Sequence, residues 1–212
     1  MGLVESGGTM PDLSLEDGMR SDGHRLVAGV DEAGRGPLAG PVAAAAVALP
    51  AGFAHCLLDD SKALGEDIRE RVYEDLAGDG RICWAVAFAE VEEIDSLNIL
   101  RATHLAMARA VTGLGREPDY CLIDGLGVPG FPYCSRGVVR GDGISLSIAA
   151  ASVIAKASRD RRMREYAAEF PEYGFESNKG YGTPAHLEAL RRHGPCRIHR
   201  RSFRPVALMG GS

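Results

Sequence analysis

The sequence predicts an α/β fold built on a mixed sheet, and three features of its 212 residues point there. Two strand-length apolar runs come first, too close together for a crossover helix to join them in parallel. Later strand-like runs alternate with stretches of helical period. A hydrophobic fraction of 45% and a charged fraction of 25% are those of an ordinary globular chain, enough at this length for one packed core.

Each element follows from local pattern. Residues 1–24 are rich in Gly, Ser and Asp without a sustained apolar period, which predicts a disordered tail. One domain is expected over 25–205, with 206–212 a second, flexible tail. The apolar run 26–30 before a glycine-rich turn predicts a buried strand, and 42–49 a second. The ten residues between, 32–41, contain Pro37 and Pro41, so no helix fits there and the two strands pair antiparallel. Ile68, Val72 and Leu76 recur at helical spacing in EDIRERVYEDLA, and a third strand is expected over 82–89. A longer helix over 98–114 carries Ile99, Thr103, Ala106, Ala110 and Leu114 on one face. A short strand over 120–123 ends at Asp124-Gly125, and 137–139 is extended. A long helix over about 145–169 begins apolar and ends basic; its small-residue half, IAAASVIA, implies close packing on the sheet. Thr183-Pro184 announces the last helix, which ends near Gly194.

Composition excludes several classes. The longest apolar run, 42–49, is far short of the roughly 20 residues that cross a bilayer, and the N-terminal stretch is acidic with no apolar h-region. Neither secretion nor membrane insertion is expected, and a cytoplasmic location is. Cys56, Cys83, Cys121, Cys134 and Cys196 form no C-x-x-C pair and read as reduced, buried small residues. The net charge of −5 taken alone argues against a nucleic-acid partner. Its distribution argues the other way: residues 156–204 carry twelve Lys/Arg against six Asp/Glu, a local +6, while the first 155 residues carry −11.

The residues that could carry chemistry are acids at strand ends. Asp31 and Glu32 close an apolar strand, where acids are costly unless solvated, paired or metal-bound. Neighbouring strand residues face opposite ways, so both meet one ion only if the strand breaks there, and AGRG is expected to supply the break; a plain strand-to-turn junction is the alternative. Asp124 closes a second apolar strand and converges on Asp31 if the two strands are parallel neighbours. Asp142, in RGDG ahead of the long helix, either joins them or merely favours the helix terminus. Carboxylates without matching His or Cys suit a hard cation, Mg²⁺ or Mn²⁺, and phosphodiester hydrolysis is the reaction that best fits. AGRGPLAGP offers backbone donors and Arg35 beside the acids. SNKGYGTP presents Lys179 and Tyr181, the tyrosine either stacking on a sugar or base or covering the core. Lys62 in DDSK is expected to contact phosphate. His193, Cys196 and His199 lack an evident fourth ligand and read as a helix stop rather than a zinc site.

AGVDEAGRGPLAGPV, DDSKAL, VEEIDSLNIL, LIDG, GDGISLSIAAASVIAKASRD and SNKGYGTPAHLEALRRHGP, in this order, closely resemble the bacterial ribonuclease HII family from about residue 26 to 203. The resemblance implies a ribonuclease H-like mixed five-stranded sheet flanked by helices, with a helical C-terminal extension over about 165–205. It places the family's four metal-binding acids on Asp31, Glu32, Asp124 and Asp142, with Mn²⁺ or Mg²⁺ as cofactor and two ions in the substrate complex. It places the loop that reads a 2′-hydroxyl on Gly34, Arg35 and Gly36, and the stacking tyrosine on Tyr181. It implies cleavage of RNA in RNA/DNA hybrids and incision 5′ of a single ribonucleotide in duplex DNA, with Lys156, Arg159 and Lys179 offsetting phosphate charge. Arg140, Ala157, Ser158 and Arg197 depart from the family's commoner residues, none of them a proposed ligand. The C-terminal VALMGGS lacks a Q-x-x-L-x-x-F-F clamp-binding pattern, so no sliding-clamp partner is expected, and the protein is expected to be a monomer. The competing readings are another acid-and-metal nuclease, such as a 3′–5′ exonuclease or DNA resolvase, and a non-catalytic hybrid-binding module.

Overall fold

The structure, a computed structural model, describes residues 10–58 and 65–209. Small apolar residues and valines form β2 (Val42–Ala48) and, apart from its two acids, β1 (Val27–Ala33); the two pair antiparallel as expected, with Asp31 opposite Ala45 and Glu32 opposite Ala44. β3 (Cys83–Ala89) adds antiparallel to β2. β4 (Tyr120–Asp124) adds parallel to the other edge of β1, and β5 (Ser135–Val138) parallel to β4. The described strands therefore make one mixed sheet in the order β3-β2-β1-β4-β5.

The two-residue period of β2 divides the core. Val42, Ala44, Ala46 and Ala48 join the cluster under Ala102, Ala106 and Ala110 of α4 (Ile99–Thr112), while Ala45 and Val47 join the opposite cluster. That second cluster includes Val72 and Leu76 of α2 (Glu66–Gly78) and the apolar half of α5 (Leu146–Glu169); Ile68, the third residue of the expected stripe, stays exposed. α5 lies close on the sheet because β1 carries glycine where it crosses: a Cβ on Gly29 would stand 2.2 Å from the Ser147 carbonyl carbon. The Asn98 side chain caps α4 and the Ser145 hydroxyl caps α5. The sequence reading missed a helical turn, α3 (Val91–Leu97), opened by a capping box between Glu90 and Glu93.

Two expectations about the termini are corrected. Residues 14–21 are not a loose tail but α1 (Ser14–Ser21), with Leu13 buried and Glu16 fully buried. Glu16 Oε1 accepts from the Ser145 hydroxyl at 2.5 Å, the Ser147 amide at 3.0 Å and the Ser147 hydroxyl, setting a carboxylate on the positive end of α5. Val206 is likewise buried rather than part of a loose tail, while Ala207 and Leu208 beside it are exposed. The C-terminal extension gathers α6 (Phe175–Asn178), α7 (Pro184–His193, capped by Thr183) and α8 (Arg204–Ala207) around its own apolar cluster of Leu38, Met163, Tyr173, Phe175, Leu190 and Val206. Cys56 and Cys134 are exposed rather than buried. No helix among the described residues is long and apolar enough to cross a membrane.

Candidate active site

The parallel pairing of β1 with β4 ends at Val30 and Ile123, and the next residue of each strand is an acid, Asp31 and Asp124. The condition for their convergence is thus met by topology. The expected break at Glu32 is absent: pairing with β2 carries β1 on through Ala33, so Asp31 and Glu32 lie on opposite faces of a continuous strand. Asp31 is buried on the α5 side, supported by the Ser152 hydroxyl and by the Glu32 amide at 2.7 Å. Glu32 faces the α4 side, where Arg35 reaches it at 3.2 Å. Asp124 accepts from the Gly141 amide at 2.6 Å, and Asp142 follows that amide in a buried 3-10 turn, Gly141–Gly143. All four acids therefore gather at one end of the sheet.

Their electrostatics are strained. Burial, then the charges of Glu32 and Asp124, push the Asp31 carboxyl well above the ordinary range, and burial raises Glu32 against the opposing pull of Arg35. Clefts open on both sides of Glu32. One of about 280 Å³ is lined by Glu32, Gly34, Arg69, Ser152, Lys156 and Tyr181; the other, of about 490 Å³, by Glu32, Arg35, His104, Asp124 and residues 125–129. Among the described residues no three His, Cys, Asp or Glu side chains are drawn tightly enough to hold an ion by themselves. The donor set still fits a hard cation: it is all oxygen, it repels itself, and Mg²⁺ commonly takes one or two carboxylates with waters and substrate phosphate completing its shell.

The Gly34–Arg35–Gly36 turn stands directly after β1. Gly34 has φ +92°, and a Cβ there would fall 1.9 Å from Arg159 Nε, so the position admits only glycine in this packing. Tyr181 is 45% exposed, and its Cε1 lies 3.7 Å from where a Gly36 Cβ would stand, so the tyrosine flanks the turn with a free face rather than covering the core.

Several basic residues do not behave as the sequence suggests. Arg159 is fully buried and bonded to backbone carbonyls, so it cannot offset phosphate charge. Lys179 is only 8% exposed, its Nζ held by Glu66 at 3.1 Å and the Glu176 carbonyl at 2.7 Å. Arg161, Arg164 and Arg197 are paired with Glu70, with Glu66 and Glu70, and with Glu169, so much of the +6 stretch is internally neutralised. Of the three named bases, Lys156 lines the cleft beside Glu32, with Asp160 2.6 Å from its Nζ and burial lowering its pKa. Lys62 lies outside the described residues.

Sequence reasoning missed Arg200, which is buried against the glycine turn, and the buried pair His186–His199, whose Nε2 atoms are 3.0 Å apart. Arg159 left a signal, since Ala151, Ala155 and Arg159 follow one another at four-residue spacing on the buried face of α5. Arg200, in RIHRRSF, left none.

Known proteins share this sequence and fold. A family model described as ribonuclease HII matches residues 28–206. The chain is 52% identical to the ribonuclease HII of Desulfitobacterium hafniense over 204 residues, covering 96% of this chain and 78% of that protein. It is 55% identical to the ribonuclease HII of Burkholderia pseudomallei over 181 residues, 85% and 84% of the two chains. Among solved structures it is similar to ribonuclease H2 from Pyrococcus horikoshii, with a TM-score of 0.71, 25% identity, and coverage of 87% of this chain and 96% of that one.

Proposed function

Because the chain belongs to the ribonuclease HII family, we propose that it is an endonuclease that hydrolyses the RNA strand of RNA/DNA hybrids and incises duplex DNA 5′ of a single embedded ribonucleotide. The products would carry 3′-hydroxyl and 5′-phosphate ends, which suits ribonucleotide excision and removal of RNA primers in the cytoplasm. The observation that carries this reading is the meeting of Asp31 and Asp124 at adjacent parallel strand ends, directly beside a glycine turn flanked by an exposed tyrosine.

Asp31, Glu32, Asp124 and Asp142 would hold the divalent ions, Mg²⁺ or Mn²⁺, two when substrate is bound. Bound there, such ions would supply an activated water and charge stabilisation at phosphorus. The residues of the chain do the rest. Acids gathered at one sheet end repel a phosphodiester unless cations intervene; burial first, and neighbouring carboxylates second, already raise Asp31 and Glu32. The 2′-hydroxyl is what distinguishes a ribonucleotide from its neighbours in DNA. The backbone of Gly34, Arg35 and Gly36, one residue beyond the Asp31-Glu32 pair, can reach that hydroxyl without side-chain obstruction at the two glycines. Tyr181 offers its ring to the adjoining sugar, and Lys156 a cation to the backbone on the same side of Glu32.

The test is end-labelled cleavage of a DNA duplex containing one ribonucleotide, beside all-DNA duplex and RNA/DNA hybrid, in Mg²⁺, Mn²⁺ or EDTA. A metal-dependent cut 5′ of the ribonucleotide, with hybrid cut and all-DNA spared, is expected. Cutting of all-DNA duplex would instead identify an exonuclease or resolvase, and binding without any cut a hybrid-binding module.

A further inference from the structure

Arg159 and Arg200 are fully buried, and each donates from all three guanidinium nitrogens to backbone carbonyls. Arg200 donates Nη2–H to Gly34 O at 2.6 Å, Nη1–H to Arg35 O at 2.9 Å and Nε–H to Gly40 O at 2.9 Å. Arg159 donates to Ala39 O at 3.1 Å, Pro41 O at 3.0 Å and Lys179 O at 3.0 Å. The backbone of the C-terminal segment completes the lacing: Arg200 N donates to Leu38 O and Gly40 N to Ile198 O, both at 2.8 Å.

A buried guanidinium is expensive to desolvate, and a well-packed apolar side chain of similar volume commonly costs less. What it alone supplies is a planar fork of donors that holds several carbonyls in one fixed relation. The peptide unit is planar and trans, so a carbonyl fixed in direction fixes the next residue's N–H in the opposite direction. Holding the carbonyls of Gly34 and Arg35 therefore aims the amides of Arg35 and Gly36. These are the backbone donors of the turn next to the acids. Arg159 ties the same loop, through Lys179 O, to the loop that presents Tyr181.

Resting on the hydrolase reading above, we propose that Arg200, assisted by Arg159, is the specificity-determining positioning residue of this site: it never touches substrate, and it sets the direction of the backbone groups that tell ribose from deoxyribose. Charge alone is not enough for this role. A lysine keeps the cation but presents its donors from one atom on a flexible stem, and cannot hold carbonyls at 34, 35 and 40 together.

The experiment compares wild type with Arg200→Lys and Arg159→Lys on the single-ribonucleotide duplex, the hybrid and the all-DNA duplex. kcat, KM and melting temperature are measured for each, and kinetics are read well below the melting transition. For Arg200→Lys, kcat on the single ribonucleotide is expected to fall about tenfold to hundredfold, as a small misplacement of a positioned group does. KM is expected to stay within about threefold, the mark of an interaction realised beyond ground-state binding. The ratio of ribonucleotide cleavage to all-DNA cleavage falls with kcat. A folded variant with a lowered melting temperature but unchanged kcat and unchanged ratio would overturn the proposal and leave Arg200 a structural residue only. Where Arg200→Lys does not fold, Arg159→Lys is read by the same two criteria. A wild-type enzyme that cuts all-DNA duplex as readily as the ribonucleotide would overturn the hydrolase reading itself, a result visible before any variant is made.

Discussion

Two clusters of buried charge adjoin each other at the Gly34 turn, and their surroundings treat them oppositely. Arg159 and Arg200 are each surrounded by three carbonyl acceptors, so the charge is desolvated but answered. Burial and the neighbouring Arg159 charge bring Arg200 down to about 9, which leaves it a cation at neutral pH. Asp31 is also buried, and beyond two hydrogen-bond donors the charges it meets are those of Glu32 and Asp124. The difference separates architecture from chemistry. Charge that the fold satisfies holds the loop in place, and charge that the fold leaves in conflict is what an ion would answer under the proposed function.

The comparison breaks most severely at the acids. Asp31→Asn and Asp124→Asn are each expected to lower cleavage by about three orders of magnitude or more, since metal-assisted charge stabilisation is worth several kcal/mol and each 1.4 kcal/mol is tenfold. In EDTA, Asp31→Asn is also expected to melt a few degrees higher than wild type. The sign follows from the raised carboxyl: a folded pKa above the unfolded one means that ionised Asp31 costs stability at neutral pH, and asparagine removes that cost. Calorimetry in EDTA and end-labelled cleavage check the two halves. A variant that is both inactive and less stable would show that Asp31 is answered by partners after all.

Much of this site was legible in the sequence, and the illegible part has a physical reason. Acids closing apolar strands, a glycine turn after the first, and a glycine-bracketed tyrosine are local patterns, and Asp31, Asp124 and Tyr181 come out of them. The sheet could be read as mixed because only ten residues link β1 and β2. What failed were details decided by long-range packing. The continuation of β1 through Ala33 is imposed by β2, and the ordering of α1 by two serines at the start of α5. Whether a base in the C-terminal quarter faces phosphate or protein depends on contacts such as that between Lys179 and Glu66, 113 residues apart in the chain.

A third buried group sharpens the contrast by giving up its charge. The Cys196 amide donates to His199 Nδ1 at 3.0 Å, which puts the His199 proton on Nε2, directed at His186 Nε2; His186 then donates from Nδ1 to the Tyr181 carbonyl at 2.8 Å. Both rings are neutral in this chain of bonds. Burial, then His186, lowers His199 from about 6.5 to about 4, and burial lowers His186. A depressed folded pKa gives stability that is fully present above about pH 6.5 and lost as the pH falls toward 4. Urea melts from pH 7 to pH 5 are expected to show a loss approaching about 1.4 kcal/mol per pH unit for each proton taken up on unfolding. His199→Gln is expected to flatten that slope, and an unchanged slope would place the titrating group elsewhere.

Tyr181 tests the exposed flank of the clamp. Tyr181→Ala removes a stacking face while leaving the carbonyl that His186 bonds, so the fold is retained. Cleavage at a single ribonucleotide is expected to slow about tenfold, in line with the 1–3 kcal/mol of one aromatic stack, with weaker discrimination between ribonucleotide and all-DNA substrates. A uniform loss of affinity for every duplex, without change in discrimination, would reduce the ring to a general contact.

The smallest expected effect separates two lysines that the sequence treats alike. Lys156 lines the cleft beside Glu32, with its side chain one-third exposed and one acidic partner, Asp160. Lys179 is buried, in a left-handed backbone conformation, with both the Glu66 carboxylate and the Glu176 carbonyl on its ammonium. Binding to phosphate releases condensed counterions, so losing one true phosphate contact reduces the salt slope of binding by about 1. For Lys156→Ala, binding of a catalytically inactive Asp31→Asn background to the single-ribonucleotide duplex is expected to weaken a few-fold at low salt, with the slope reduced by about 1. Lys179→Ala is expected to lower the melting temperature, because it leaves Glu66 and the Glu176 carbonyl short of a donor, and to leave the salt slope unchanged. The reverse pattern would mean that the Lys179 ammonium exchanges Glu66 for phosphate when the duplex arrives, and that part of the internally neutralised basic segment is released by its substrate.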